Sequence, residues 1–346
     1  MKLKHLLIGA GVLTALAVLF IAINARRNEP AQAGRVGQPM IADLGMEQVA
    51  RITLTTETTV TLEKGAEGAW VVAEQGRFIA DEGKLRTLLL QFTRISPEHQ
   101  VTDREERLAD LQLLVPDAKL APDKKDKAGV LITLLDEKGQ PLHRVLLGKV
   151  RQNGGGQYVR FPDEPAAYLI GDVVRVEPDS ADWIAKSILN EDSAVIASVR
   201  VERPGESGYE FFREKAESPW QVRGNGAQTL NQDEVRILAN TLASLDVARV
   251  APEGANAKTL GRERVANIAM TLFDGRRYAI TVGAAKAGEY RYLAVEGALT
   301  GKEQDEAKKS GMERFNRLYQ GRFFAVFDYD GERMQRPMKE FLAKAK

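Results

Sequence analysis

The segment "ITLLDEKGQPLHRVLLG" at residues 132–148 decides the fold that the sequence predicts. Two runs rich in Ile, Leu and Val flank a polar break, and Asp136 with Gly139 supplies turn chemistry inside that break. Apolar runs joined by such a turn are typical of antiparallel strands. The segment therefore predicts a β-hairpin.

The same pattern returns as "MTLFDGRRYAITVG" at residues 270–283, with Asp274 and Gly275 at the turn. Trp70 and Trp220 also fall in register when the two halves are aligned. The other paired blocks, in the same order, are 49–54 with 196–201, 68–72 with 218–222, 81–95 with 231–245, and 157–161 with 290–295. Self-similarity of this kind predicts two copies of one structural unit.

Each copy is predicted to hold strands, one amphipathic helix and further strands. Ile52 and Leu54 alternate with polar neighbours, as in a sheet with one wet face, and Asp81 and Asn231 are good N-cap residues. The predicted fold class is α+β: one N-terminal transmembrane helix, then two tandem, duplicated units, each a largely antiparallel sheet with a packed helix. The predicted domains are the anchor at 1–30, the first unit with a connector helix at 31–190, and the second unit with a C-terminal extension at 191–346.

The stretch "KHLLIGAGVLTALAVLFIAINARR" at residues 4–27 predicts the anchor. Residues 6–24 carry no formal charge, and a helix of that length spans about 28 Å, close to the bilayer core of about 30 Å. The residues expected to lie in the membrane are Leu6, Leu7, Ile8, Val12, Leu13, Leu16, Val18, Leu19, Phe20, Ile21 and Ile23. The lipid bilayer is thus an expected partner.

Two alternatives to the anchor have weaker support. Gly9 and Gly11 resemble a dinucleotide-binding fingerprint, but Thr14 stands where a third small residue is needed, and Glu29 lies outside any strand pattern. Cleavage at 31–33 stays open, although the apolar core is longer than the 7–15 residues of a signal peptide. An uncleaved, single-pass anchor in the inner (cytoplasmic) membrane is favoured, with the body exported to the periplasmic or extracellular side despite a weak charge bias.

Composition excludes several classes of function. The net charge is +1, and the first 30 residues hold four basic residues and one acid, so the remaining chain is close to neutral. A nucleic-acid partner is not expected, because its footprint would be a basic excess. The chain has no cysteine, which excludes disulfides, thiolate metal sites and thiol nucleophiles.

No motif predicts a catalytic residue, cofactor or metal site. His5, His99 and His143 lack partners at ligand spacing, and no Gly-x-Ser-x-Gly elbow exists. The run "QNGGGQY" at 152–158 indicates a hairpin tip, and "DYDGE" at 328–332 indicates an Asp-Gly turn after a strand. Trp70 and Trp220 are expected in the core.

The chain nevertheless resembles a known family. The runs "AWVVAEQGRFIADEGKLRTLLLQFTRI" at 69–95, "ADWIAKSILNED" at 181–192 and "RFFAVFDYDGERM" at 322–334 carry the likeness. They are similar to bacterial, membrane-anchored proteins classed only as a domain of unknown function, whose genes often neighbour components of gliding-motility-type ABC transporters. The resemblance implies an integral-membrane protein partner and assigns no reaction.

The function expected from these observations is a non-enzymatic, membrane-anchored envelope protein that serves as an accessory or binding module of a transporter-like complex. An envelope hydrolase using paired carboxylates is the runner-up, and a purely structural periplasmic spacer is the third alternative. Two converging acids in a deep cleft would favour the enzyme, whereas a shallow groove or a free sheet edge would favour docking.

Overall fold

The computed structural model describes residues 34–343, except 43, 46, 66–67, 153, 225–228 and 301–304. The described strands are β1 Arg51–Thr55, β2 Thr59–Lys64, β3 Trp70–Val72, β4 Phe78–Ile79, β5 Pro97–Thr102, β6 Val130–Leu135, β7 Pro141–Val150, β8 Gln157–Arg160, β9 Ala167–Ile170, β10 Ser187–Asn190, β11 Ile196–Glu202, β12 Tyr209–Phe212, β13 Gln221–Val222, β14 Ser244–Asp246, β15 Arg249–Val250, β16 Val265–Leu272, β17 Arg276–Gly283, β18 Tyr290–Leu299 and β19 Phe324–Phe327. The described α-helices are α1 Glu82–Arg94, α2 Pro122–Lys125, α3 Gln232–Ala243, α4 Glu306–Tyr319 and α5 Asp328–Met334.

The described chain forms two compact units. The first unit holds residues 34–49, 55–57 and 88–176. Its strands pair antiparallel in the order β6-β7-β8-β9-β5. The β6–β7 hairpin closes at Asp136, whose carboxylate accepts hydrogen bonds from the N–H groups of Lys138 at 2.9 Å and Gln140 at 2.7 Å. Gly139 in that turn has φ 76°, which a side chain would disfavour, so the predicted turn chemistry closes the predicted hairpin.

The second compact unit holds residues 50–54, 58–87 and 177–343. It contains the run β4-β3-β2-β1, a β10–β14 pair, and an eight-stranded antiparallel sheet in the order β13-β12-β11-β16-β17-β18-β19-β15. Strand β16 buries every second residue, Ala266, Ile268, Met270 and Leu272. That alternation places one face of the strand in the core.

Blocks that repeat in the sequence fall on strands in matching order. The run β3-β2-β1 corresponds to β13-β12-β11, and the run β6-β7-β8-β9-β5 corresponds to β16-β17-β18-β19-β15. Trp70 on β3 and Trp220 just before β13 are both buried, as expected for core positions. The predicted domain boundaries follow the sequence repeats rather than compactness, so they stay a prediction.

Helices α1 and α3 begin where the sequence predicts. The Asp81 carboxylate accepts a hydrogen bond from the N–H of Lys84 at 2.9 Å, and the Asn231 amide oxygen accepts one from the N–H of Asp233 at 3.2 Å. Both contacts satisfy backbone donors that a helix start leaves free. Helix α3 buries Val235, Leu238, Ala239, Leu242 and Ala243 in one stripe.

The predicted fold class, α+β with an N-terminal transmembrane helix and two duplicated units that each pair a sheet with a packed helix, is wrong. The described residues form mostly antiparallel sheets with few helices. The physical reason is that alternating burial dominates the chain, whereas helical periodicity is confined to short stretches. Within the described ranges, no helix is long and apolar enough to cross a membrane. Residues 6–24, the predicted anchor, lie outside the described residues.

Two smaller segments also differ from the sequence prediction. Residues 323–331 are predicted to form a strand and a turn, but β19 is followed directly by helix α5. Residues 177–194 are predicted to form a short helix, but they form a 3₁₀ turn at Ser180–Trp183, capped by Asp179, and then strand β10. Short elements of this kind depend on tertiary contacts that local propensity does not encode.

A buried amide joins distant parts of the second compact unit. Gln75 is only 7% exposed. Its side-chain nitrogen donates to the Ser180 hydroxyl at 2.8 Å, and its side-chain oxygen accepts from the N–H of Val250 at 3.0 Å. Three segments that are remote in sequence therefore share one satisfied polar group.

We expect Gln75→Ala to lower the free energy of unfolding by about 2–3 kcal/mol, because the buried N–H of Val250 loses its acceptor. Urea denaturation of the full-length protein measures this change. The matched control is Arg86→Ala, an exposed position on α1, which should shift stability by less than about 0.5 kcal/mol. Equal stability of the Gln75→Ala variant and the wild type would contradict this role.

Candidate functional site

The candidate site is a cavity of about 450 Å³ in the second compact unit. Four arginines line it, Arg203, Arg291, Arg333 and Arg336, together with the carboxylates of Glu332 and Glu340. We call this cavity the arginine pocket. Residues from β18, α5 and the segment just after α5 make up most of its wall.

Arg291, the second residue of β18, lies at the most buried point of the arginine pocket. Its side chain is 10% exposed. The guanidinium donates to Asp328 at 2.7 Å, to Glu332 at 3.0 Å and to the carbonyl oxygen of Ala284. A buried cation is tolerated only when it is paired and hydrogen-bonded, and Arg291 meets both conditions.

Helix α5 packs its glycine against that guanidinium stem. A Cβ atom at Gly331 would come within 2.6 Å of the Arg291 Cδ. Gln335, also buried, donates to the carbonyl oxygens of Gly331 at 3.1 Å and Gly283 at 3.2 Å. The end of β17 and helix α5 are thereby tied together behind the arginine pocket.

Arg336 brings an unsatisfied donor to the wall. Its Nη1 donates to Glu234 at 2.8 Å, and its guanidinium lies 4.6 Å from the ring centre of Phe341. Its Nε is buried and, among the described residues, has no hydrogen-bond partner. The carboxylate of Glu340 stays 3.9 Å away, too far for a hydrogen bond. An orphaned buried donor costs about 1–3 kcal/mol.

Arg333 differs from the other arginines of the pocket in its ion pairing. Its guanidinium lies 4.4 Å from the ring centre of Tyr329 and contacts the Tyr329 hydroxyl. By contrast, Arg203 pairs with Glu206, Arg336 with Glu234, and Arg291 with two carboxylates. Within the part of the chain that the structure describes, Arg333 forms no ion pair. Two carboxylates pair with Arg291 and Glu340 also lines the pocket, so the acidic groups around the arginine pocket are at least as many as its arginines.

Two exposed aromatic side chains lie at the start of helix α5. Tyr329, which also lines the pocket, is 63% exposed, and Phe327 is 55% exposed. The Phe327 ring lies 5.5 Å from that of Tyr290, and the Tyr290 ring lies 5.4 Å from the guanidinium of Arg249. We call Tyr290, Phe327 and Tyr329 the aromatic patch. Aromatic and arginine side chains are the types enriched in protein interfaces.

A neighbouring hollow of about 500 Å³ in the same unit is a weaker candidate. It shares Arg203 with the arginine pocket, but its charges pair with one another. The pairs are Arg200–Glu202, Arg203–Glu206 and Arg223–Glu210. A lining that neutralises itself offers a ligand little charge to bind.

A smaller cavity of about 190 Å³ lies in the first compact unit, beneath residues 116–129. Two glycines shape it, because a Cβ at Gly129 would lie 2.5 Å from the carbonyl oxygen of Leu147, and one at Gly148 would lie 2.4 Å from that of Leu111. The neighbouring backbone comes so close at both positions that a side chain would not fit, so packing alone explains the two glycines.

The cluster that most resembles acid–base machinery is saturated. Glu191 accepts two hydrogen bonds from Arg276, at 2.5 and 3.1 Å, and one from the Tyr278 hydroxyl at 2.8 Å. Burial, and then the contact with Glu191, raise the pKa of Tyr278 above its usual range. Glu191, Arg276 and Tyr278 are thus all engaged with one another. The cluster ties Glu191 to strand β17, and none of these three groups is free for a substrate.

Asp274 extends that cluster at the β16–β17 turn. Burial raises the pKa of its carboxyl group, but the hydrogen bonds from Arg276 and the charges of Arg276 and Lys308 outweigh burial. The pKa of Asp274 therefore lies below its ordinary value of 3.8. The ionised form is the one that the folded protein favours.

The sequence-predicted site residues and the arginine pocket do not coincide. The predicted membrane-spanning residues lie outside the described residues. The "DYDGE" run, interpreted as a turn, supplies helix α5, and "QNGGGQY" falls at the β7–β8 connection, where the N–H of Arg151 donates to the carbonyl oxygen of Gly156 at 2.9 Å. In the described part of the chain, no group of three or more His, Asp or Glu residues is arranged to hold a metal ion.

Sequence reasoning missed the arginine pocket because its arginines are spread from residue 203 to residue 336. Only the run "GERMQRP" at 331–337 carries a local signal, with two arginines three residues apart next to a glycine inside a short helix. Nothing in that run reveals Arg203 or Arg291 as neighbours.

We expect Gly331→Ala to destabilise the protein by about 1–2 kcal/mol, because overpacking against the immobilised Arg291 outweighs the helix propensity gained. Gly311→Ala is the matched control, since it lies in helix α4, where an added Cβ would have nothing within 4 Å. It should stabilise by about 0.5–1 kcal/mol. Urea denaturation measures both changes, and a common sign would contradict the packing of Gly331.

We expect Asp274→Asn to be less stable than the wild type at pH 7 and to approach it under acid conditions. The lowered pKa of Asp274 means that its stabilising charge is fully present above pH 3.8 and is lost as the pH falls through the folded-state value. Denaturation between about pH 2 and 7 measures the difference. Glu202→Gln, in an exposed pair, is the control that should show no such dependence.

Comparison with known proteins gives a family but no characterised relative. A family model described as "Domain of unknown function (DUF4340)" matches residues 70–292. No curated protein and no solved structure matches significantly. The matched segment contains Arg203 and Arg291 but ends before Arg333 and Arg336. Because it covers well over half of the chain and agrees with the predicted kind of family, the chain belongs to the DUF4340 family of domains of unknown function.

Proposed function

We propose that this protein is a non-enzymatic binding module that docks onto an integral-membrane protein in the cell envelope. The observation that carries the proposal is the aromatic patch, in which Phe327 and Tyr329 are exposed and Tyr329 also lines the arginine pocket. Phe327 and Tyr329 belong to the residue types that form the energetic centres of interfaces. Covering each partly exposed ring would contribute about 1–2 kcal/mol to docking.

The chemistry of the described residues agrees with docking better than with hydrolysis. The aromatic patch offers apolar contact area, and the arginine pocket offers hydrogen-bond donors. The carboxylates on the pocket wall are close to arginines, since Glu332 lies 3.0 Å from Arg291 and Glu340 lies 3.9 Å from Arg336. A hydrolase with paired carboxylates needs two carboxyl groups that face the substrate, so these contacts favour docking over hydrolysis.

The setting of this proposal comes from the sequence. The expected location is the inner membrane with the body on the periplasmic or extracellular side, and the expected partner class is a transporter-like complex such as a gliding-motility-type ABC transporter. The resemblance to membrane-anchored proteins supports that setting. Attachment to the membrane would raise the local concentration of the module near its partner.

The test compares what co-purifies with two variants of the full-length protein in mild detergent. We expect wild type and Phe273→Ser to recover the same integral-membrane protein, whereas Phe327→Ser/Tyr329→Ser recovers about tenfold less, since the two ring contacts together exceed about 1.4 kcal/mol. Phe273 is the matched control, because it is an equally apolar, exposed side chain at the β16–β17 turn. Quantitative mass spectrometry measures recovery.

Two results would count against docking through this surface. The first is that no membrane protein is enriched with wild type over an unrelated bait. The second is that the double variant recovers the partner as well as Phe273→Ser does. Circular dichroism on both variants checks that neither substitution unfolds the chain.

A further inference from the structure

We draw no further inference here: the strongest candidate, the cavity of about 320 Å³ beside helix α3 that Arg213, Trp220 and Arg236 help to line, carries no proposal, because Arg213 already donates to three backbone carbonyl oxygens, Arg236 is paired with Asp233, and nothing in the structure shows what would occupy the cavity.

Discussion

The burial of the Arg291 guanidinium is the constraint on which the candidate site depends. Removing such a cation from water costs several kcal/mol, so its donors must all find acceptors. Asp328 and Glu332 supply two of them from helix α5, and the carbonyl oxygen of Ala284 supplies another from the chain after β17. Gly331 is required between those acids because any side chain there would collide with the arginine stem. One buried charge thus fixes where α5 lies against β18.

The position of α5 in turn orients residues that line the arginine pocket. Arg333 lies near the end of that helix and is partly exposed, and Arg336 follows just after the helix ends. Tyr209 donates its hydroxyl to the carbonyl oxygen of Arg336 at 2.5 Å, which ties the segment back to β12. Groups held on such a scaffold lose little conformational freedom on binding, and preorganisation of this kind favours affinity.

The hairpins and the two longer buried helix faces were predictable from sequence because their signals are local. Asp136 with Gly139 and Asp274 with Gly275 close turns by hydrogen bonds within a few residues, and α3 carries its apolar stripe in twelve residues. The fold class was wrong because the described chain is mostly antiparallel strands with few helices, whereas the prediction made a packed helix a defining part of each unit and added a transmembrane helix. Helix α5 was missed because its seven residues contain an Asp-Gly pair, which favours a turn. The hydrogen bonds from Arg291 to Asp328 and Glu332, which hold the helix, are not visible in the sequence.

The arginine pocket combines residues inside and outside the segment that defines the family. Arg291, which anchors α5, lies within the matched residues 70–292, whereas α5 itself, Arg333, Arg336 and the exposed rings of Phe327 and Tyr329 lie beyond them. Strand β19 pairs with β18 and β15, so the later segment is an integral part of the sheet. The matched segment therefore contains β3 to β17 and the buried cation, while Arg333, Arg336, Phe327 and Tyr329 come from the chain that follows. Family membership alone does not determine what this pocket binds, because the residues that set its charge and its aromatic border are not part of what the family model describes.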